Sequence, residues 1–163
     1  TICSVCVAPS ASGAMPVAQK QLPVQGHGAW VVVWQGRNTR YGPDGAMRSN
    51  CVLYIKKTGH RPKKVALYVH QTKGGRHWLR TKIGGKPFYW HRLVAWCFSN
   101  PLNLSWEVYH KQDKSGAYKW QAGHLSLDEC DCTVGNLQVM TRLQNKAMYK
   151  GDASQKHGTV FKG

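Results

Sequence analysis

The chain has 163 residues, and its 23 Lys and Arg residues outnumber its 7 Asp and Glu residues, which gives a formal net charge of +16. Self-repulsion of this charge disfavours compaction, so the composition argues against a simple solute-binding domain and favours a polyanionic partner. The length suits one domain with a modest core. No apolar run approaches the roughly 20 residues of a transmembrane helix, and no membrane association is expected.

The first part of the chain, residues 1–27, is rich in Ala, Ser, Pro, Gly and Gln and is interpreted as an N-terminal arm. It contains Cys3 and Cys6, which together with Cys130 and Cys132 supply four thiols, the ligand set of a tetrahedral structural zinc site. A Cys-x-Cys pair is tighter than the usual zinc knuckle. Structural Zn²⁺ is therefore one hypothesis for these cysteines, and disulfides in an oxidising compartment are the other.

Residues 28–90 are predicted to form a basic antiparallel β-sheet region. Apolar or alternating runs indicate strands, and turns that contain Gly separate the last of them. The predicted strands are 29–34, 51–56, 65–70, 77–83 and 86–90.

The third part of the chain, residues 91–150, begins with a predicted helix over 91–98 that ends before Asn100-Pro101. A strand–loop–strand–helix pattern follows. Residues 122–125 suit a short strand, residues 128–135 a turn-rich loop, residues 137–141 an alternating strand and residues 142–149 a helix. The overall prediction is an α+β fold, with a C-terminal tail over 151–163.

Three polar residues mark this last pattern as a candidate site: His124, Asn136 and Asn145, which lie 12 and 9 residues apart. A neutral imidazole can take a proton from water, and an amide oxygen on a following helix can ligate a hard cation. The middle residue can tie two strands together at a turn. A surface His with two turn Asn residues is the alternative interpretation of the same triplet.

The segment resembles the HNH or ββα-metal (His-Me finger) endonucleases, in which a His and two Asn residues occur at this spacing and Leu follows the middle one, as in Asn136-Leu137. A second block, from Trp90 to Phe98 followed by Asn100-Pro101, is similar to the segment upstream of the core in phage-type and intron-encoded homing endonucleases. The resemblance covers roughly residues 76–150. It implies a ββα-metal nuclease core over residues 91–150.

Two departures qualify the resemblance. Many HNH enzymes have a metal-ligating side chain immediately before the His, whereas this chain has Gly123. A small residue at that position is similar to the His-Cys-box branch, which holds one metal ion through the helix Asn. However, that branch has a Cys two residues after the His, where this chain has Ser126. The chain therefore looks closest to the His-Cys-box branch, with phage-type HNH features.

The resemblance implies a role for each residue of the triplet. His124 is the expected general base, and Asn145 the expected ligand of Mg²⁺ or another divalent cation, with water and phosphate oxygens completing the shell. Asn136 is expected to hold the loop, and Arg142 to neutralise the scissile phosphate. His110, in a segment that resembles Glu-Val-Asn-His of the phage-type enzymes, is the alternative base. We prefer His124 because its spacing to both Asn residues requires no insertion.

The expected partner is double-stranded DNA, with a homodimer left open. A basic sheet can lie in a DNA groove, where Arg pairs bidentately with guanine. The candidate DNA contacts are Arg37, Arg40, Arg48, Lys56, Arg76, Arg80, Lys82 and His91. The three acids Asp128, Glu129 and Asp131 are interpreted as an exposed loop without a catalytic role.

The sequence thus predicts a metal-dependent, homing-endonuclease-like DNA endonuclease that hydrolyses phosphodiester bonds. The first alternative is a DNA-binding protein with a degenerate, inactive core, and the second is a secreted nonspecific nuclease or toxin. The expected location is intracellular, in the nucleus or the host cytoplasm, with secretion as the alternative.

Overall fold

The computed structural model describes residues 18–21, 29–55 and 59–156, with side chains described over 37–55 and 59–151. Its antiparallel sheets and few helices confirm the predicted α+β class. Most of the proposed arm, including Cys3 and Cys6, lies outside the described residues, as does Lys56. Among the described residues, no helix has the length and apolar character needed to cross a bilayer.

The first sheet has four antiparallel strands that neighbour one another in chain order: β1 (Ala18–Gln21), β2 (Ala29–Tyr41), β3 (Met47–Ile55) and β4 (Lys63–Lys64). The prediction that the strand starting at residue 29 ends at residue 34 was wrong, because β2 continues to Tyr41 after a register shift between Trp34 and Thr39. Its polar second half is held by backbone pairing with the start of β3, where Met47 and Ser49 are buried on alternate positions. This polar half of the strand contains no apolar run, so the pattern used for the prediction could not indicate it.

The second sheet has three antiparallel strands, β5 (Tyr68–Gln71), β6 (His77–Ile83) and β7 (Lys86–Tyr89), with β6 in the centre. The single sheet predicted for residues 28–90 is therefore divided into two. The division explains why β5 starts later than predicted. The Val65 amide still donates to Leu53 of the first sheet at 2.9 Å, whereas Tyr68 already pairs with Arg80 of the second.

The central strand β6 has two distinct faces, because side chains alternate along a strand. Leu79, Thr81 and Ile83 are buried on one face. Trp78, Arg80 and Lys82 therefore occupy the other face, which is partly exposed. This second face runs beside the candidate site.

The strand β7 leads directly into helix α1 (Trp90–Phe98), which packs against β6, β8 (Trp120–His124) and β9 (Leu137–Thr141). Trp90 and Leu93 of this helix are almost fully buried in the core. The Trp90 indole donates to the Ser49 hydroxyl at 2.8 Å, which satisfies both groups in the interior. A short helix, α2 (Trp106–Tyr109), follows, and its first turn is capped by the Ser105 hydroxyl.

The last unit is an antiparallel hairpin, β8 and β9, followed without a gap by helix α3 (Arg142–Lys156). A capping box starts this helix: Thr141 N–H donates to Gln144 Oε1 at 2.9 Å, and Gln144 N–H donates to Thr141 Oγ1 at 3.1 Å. The predicted strand–loop–strand–helix order is confirmed. The helix continues to Lys156, so the first part of the proposed 151–163 tail is helical.

Candidate active site

A cleft of about 330 Å³ lies between the second sheet, α1, the β8–β9 hairpin and α3. Two of the three residues singled out by their spacing, His124 and Asn145, line this cleft together. The other lining residues are Arg76, Trp78, Tyr89, His91, Arg92, Tyr118, Gln121, Ala122, Glu129 and Tyr149. The cleft thus combines two imidazoles, one carboxylate, two guanidinium groups and several aromatic rings.

His124 is the last residue of β8 and is only 3% exposed. Burial lowers the pKa of its imidazole below the ordinary value, and the nearby carboxylates of Glu129, Asp131 and Asp128 act in the opposite direction. The ring is therefore neutral at pH 7, the state in which an imidazole can accept a proton.

The buried thiol of Cys132 contacts the His124 ring, with Sγ 4.0 Å from Nε2. Burial raises the pKa of this thiol to about 12, so it stays protonated. The same sulfur lies 3.8 Å from the carbonyl oxygen of Glu129, to which the thiol can donate. Cys132 therefore occupies the Nε2 side of the His124 ring, and Nδ1 is the ring nitrogen that does not contact it.

Asn145 lies in the first part of α3, and its Nδ2 donates to Gln121 Oε1 at 2.8 Å. This hydrogen bond fixes which way the carboxamide faces. Its oxygen, Oδ1, is buried and has no hydrogen-bond partner among the described residues. A buried amide oxygen without a partner is costly unless it meets a ligand, and a hard cation is one that it suits.

Gly123, the departure from the HNH pattern, has a local role in this arrangement. A β-carbon at this position would lie 2.5 Å from Sδ and Cε of Met140 and 3.2 Å from Oδ1 of Asn145. A larger residue would therefore require Met140 to move and would crowd the unpartnered oxygen. The absence of a side chain lets the Asn145 oxygen approach the strand next to His124.

Asn136 holds the loop between β8 and β9 through both ends of its side chain. Its Oδ1 accepts from Ser126 N–H at 2.8 Å, and its Nδ2 donates to the Asp131 carbonyl at 2.9 Å. Its own carbonyl accepts from Leu125 N–H at 2.8 Å. The residue thus fixes the chain directly after His124, in agreement with the loop-holding role that the resemblance implies.

Replacing Asn136 by Ala is expected to lower the free energy of unfolding by about 2 kcal/mol, because it leaves a backbone donor and a backbone acceptor without their partner. Urea denaturation measures the change. Gln138→Ala, at an exposed position of β9, is the matched control and should change the free energy by less than about 0.5 kcal/mol. Equal effects of the two substitutions would contradict the loop-holding role.

The three acids of the loop are engaged with arginines and do not form a free exposed surface. Arg48 forms an ion pair with Asp128 at 2.6 Å and contacts Asp131 at 3.8 Å. Arg76 pairs with Glu129, which also accepts a hydrogen bond from Tyr149 at 3.4 Å. Two of the predicted DNA contacts are therefore neutralised locally. Glu129 enters the cleft, a placement that its loop-like sequence context did not indicate.

Arg142 and His110 do not line the cleft. Arg142 is exposed and pairs with Asp113 at 3.4 Å. His110 stacks on Trp106 with ring centroids 4.6 Å apart, and burial lowers the pKa of its imidazole to about 4. His110 thus belongs to an aromatic cluster, whereas His124 lies in the cleft.

The other predicted DNA contacts are distributed over both sheets. Arg37 and Arg40 are exposed on β2, and Lys82 is exposed on β6. The guanidinium of Arg80 lies 5.1 Å from the centroid of the Tyr89 ring. His91 lies inside the cleft, stacked on Trp78 at 5.1 Å and with its ring centroid 5.2 Å from that of His124.

Arg92 is a cleft residue that was not among the predicted site residues. Its guanidinium is buried between the rings of Tyr109 and Tyr118, 4.2 and 3.7 Å from their centroids. It donates to the carbonyls of Tyr109 and Trp120 at 2.8 and 2.9 Å. Arg92 therefore ties α1 to the start of β8, and its position in an apolar helical run gave no signal of this role.

Of the four proposed zinc ligands, the structure describes only Cys130 and Cys132. Cys130 is half-buried and Cys132 buried, and neither forms a disulfide with a described residue. Among the described residues, no group of three or more His, Cys, Asp or Glu side chains is arranged to hold a metal ion. Structural zinc through Cys3, Cys6, Cys130 and Cys132 stays a prediction, since two of these residues lie outside the described range.

Stability is expected to fall as the pH drops from 6.5 towards 4. Burial lowers the pKa values of His91, His124 and His110, the last to about 4, so below pH 6.5 the unfolded chain binds more protons than the folded chain. Each such histidine adds at most about 1.4 kcal/mol per pH unit to the slope of the free energy of unfolding against pH. Urea denaturation at pH 7, 6 and 5 measures this slope. His110→Phe should flatten the slope, and a flat profile for the wild-type protein would contradict the prediction.

Comparisons of the chain with protein-family models, with curated proteins and with solved structures found no match.

Proposed function

We propose that the protein is a metal-dependent DNA endonuclease of the HNH or ββα-metal type, similar to homing endonucleases. The observation that carries the proposal is the shared cleft of His124, neutral at pH 7, and Asn145, whose amide oxygen is buried without a partner. An activated water and a Lewis acid are the two requirements for hydrolysing a phosphodiester. These two side chains suit one requirement each.

In the proposed reaction, Nδ1 of His124 accepts a proton from a water molecule as its oxygen forms a bond to phosphorus. The bond between phosphorus and the 3′ oxygen breaks, and that oxygen leaves as the hydroxyl end of the cut strand after protonation by solvent. Cys132 is compatible with this direction of transfer, because it occupies the Nε2 side of the ring and its sulfur can accept from an Nε2–H. Burial of His124 keeps the ring neutral before the transfer.

A divalent cation fits at Asn145, where Oδ1 is a single hard oxygen ligand oriented by Gln121. When bound, such an ion stabilises negative charge that develops on the phosphate oxygens. One protein ligand leaves most of the shell to water and phosphate, which is the mode that Mg²⁺ prefers. The proposal therefore requires Asn145 as a protein ligand of the cation and no second one.

Arg76 replaces Arg142 as the candidate phosphate contact inside the cleft. Its guanidinium carbon lies 4.9 Å from the centroid of the Trp78 ring, and it pairs with Glu129. Because the Arg76 side chain is 58% exposed, this ion pair contributes little to stability, typically about 0–1 kcal/mol. A phosphate entering the cleft can therefore displace Glu129 from the guanidinium at small cost.

The test is incubation of the purified chain with supercoiled plasmid, with Mg²⁺ or with EDTA. Nicked or linear plasmid is expected only with the divalent cation. Gel separation of the three plasmid forms measures the outcome. No conversion with Mg²⁺, Mn²⁺ or Co²⁺ would overturn the proposal.

A DNA-binding protein without nuclease activity is the second candidate. It is favoured by the lack, among the described residues, of any group of three His, Cys, Asp or Glu side chains that could hold a metal ion. Retention of duplex DNA on the protein without cleavage, at any of the three cations, would support it over the endonuclease.

A further inference from the structure

A second basic site lies on the first sheet, around its edge strand β4. It is a groove of about 520 Å³ whose lining includes the partly buried apolar residues Ile55 and Val65. Its remaining lining residues are His60, Arg61, Lys63, Lys64 and Lys82. We call these seven residues the basic groove. Four of them carry a permanent positive charge, and none carries a negative charge.

The basic groove differs from the other arginine-rich parts of the protein in its lack of counter-charges. Arg48, Arg76 and Arg142 are each paired with a carboxylate. The ion pairs found among the described residues do not include any residue of the basic groove. Lys63, Lys64 and Lys82 are all exposed. Their charge is therefore available to an external anion, whereas the three paired arginines must first release an acid.

The basic groove is connected to the candidate active site by one face of β6. Trp78 lines the cleft, Lys82 lines the basic groove, and Arg80 lies between them on the same face. At about 3.3 Å per residue, four residues of strand span about 13 Å. This length matches about four base-pair steps of a duplex, which rises about 3.4 Å per step. A duplex seated in the cleft can thus follow β6 to the groove.

Resting on the proposed function, we infer that the basic groove binds the phosphate backbone of the same DNA duplex, about four base pairs beyond the part of the duplex that meets Trp78 at the cleft. Arg61, Lys63, Lys64 and Lys82 neutralise phosphates there without reading the base sequence. Ile55 and Val65 give the groove an apolar part, against which the aliphatic parts of long basic side chains can lie. The site supplies affinity and orientation, and takes no part in the chemical step.

The test is a triple substitution, Lys63→Gln, Lys64→Gln and Lys82→Gln, which removes three charges from exposed positions and leaves the strand pairing intact. Fluorescence anisotropy with a labelled 20-base-pair duplex is measured in EDTA at several salt concentrations, so that no cleavage occurs. We expect the log–log salt slope to fall by about 0.9 for each phosphate that the variant no longer neutralises, and so by about 2 to 3 in total. The affinity should fall about ten- to a hundredfold at low salt.

The matched control removes the same number of charges elsewhere: Lys111→Gln, Lys114→Gln and Lys119→Gln. These three lysines are exposed and line neither the cleft nor the basic groove. If both triple variants show the same decrease in affinity and slope, the effect is one of net charge and the inference is overturned. An unchanged salt slope in the groove variant would overturn it as well.

Cleavage assays separate this inference from the proposed function. With Mg²⁺, the groove variant should show a raised KM and an unchanged kcat on plasmid DNA. A wild-type protein that binds DNA with the expected salt slope and never cuts it would reject the endonuclease while supporting the groove. A wild-type protein that cuts DNA while the groove variant keeps its KM and salt slope would reject the groove alone.

Discussion

His124→Ala is expected to reduce DNA cleavage by a factor of about 10² to 10⁴ and to leave DNA binding unchanged. The size of the effect is that of a missing general base. Binding should survive because the side chain is buried and carries no charge at pH 7, so it contributes no phosphate contact. Plasmid cleavage with Mg²⁺ gives the rate, and anisotropy in EDTA gives the affinity.

Two other histidines serve as controls for this prediction. His110→Ala removes the alternative base, which lies in the aromatic cluster around Trp106, and should leave the cleavage rate within about threefold of wild type. His91→Ala removes the second imidazole of the cleft, 5.2 Å from His124, and tests whether proximity alone accounts for a reduced rate. Added imidazole should restore part of the activity of His124→Ala, because a diffusible base can occupy the vacated space. An active His124→Ala with an inactive His110→Ala or His91→Ala would reject His124 as the base.

The local order of the elements was predictable from the sequence, because it depends on short-range patterns. The strand over 77–83 was predicted with the bounds that β6 has, and the helix over 91–98 differs from α1 by one residue. The hairpin and helix around His124 and Asn145 followed from alternation and from good helix formers. In β9 the apolar residues Leu137, Val139 and Met140 are the buried ones. In α3 the periodicity misled, because Leu143, which suited an inward position, is 78% exposed.

The division into two sheets was not predictable, because it depends on which distant strands pair. Nothing in the run 65–70 indicates that Val65 bonds to the first sheet while Tyr68 pairs with the second. The polar end of β2 was missed for the same reason, because it is a strand through its pairing with Met47 and the residues that follow it. Such pairing is a long-range choice that the sequence does not express locally.

The candidate site was also predictable only in part from the sequence. The spacing of His124, Asn136 and Asn145, together with the resemblance to the HNH endonucleases, selected the two cleft residues and the residue that holds the loop. The partners of these residues come from distant segments and left no comparable signal. Gln121 orients Asn145 across 24 positions, and Arg142, which does not line the cleft, pairs with Asp113 across 29. A residue's type can suggest chemistry, but its partners decide whether it faces the cleft.

Asn145→Ala is expected to reduce Mg²⁺-dependent cleavage by at least about 10²-fold, because it removes the only oxygen ligand assigned to the cation. DNA binding in EDTA should be unchanged, since the carboxamide is uncharged. The protein should remain folded, because the substitution removes a single side-chain hydrogen bond, to Gln121, which costs about 1 kcal/mol. Circular dichroism and urea denaturation check the fold beside the cleavage assay.

Asn145→Asp separates a ligand from a structural residue. An aspartate keeps an oxygen at the same position, and the Gln121 amide can turn to donate to it, so the cleavage rate should recover to within about tenfold of wild type. The half-maximal Mg²⁺ concentration should fall, because a carboxylate attracts the cation more strongly than an amide. Gln121→Ala leaves the ligand in place without its orienting partner and should cost about 10- to 100-fold. If Asn145→Ala kept the wild-type rate and Mg²⁺ dependence, Asn145 would not be the metal ligand, whereas equally reduced rates in the Ala and Asp variants would point to a purely structural side chain.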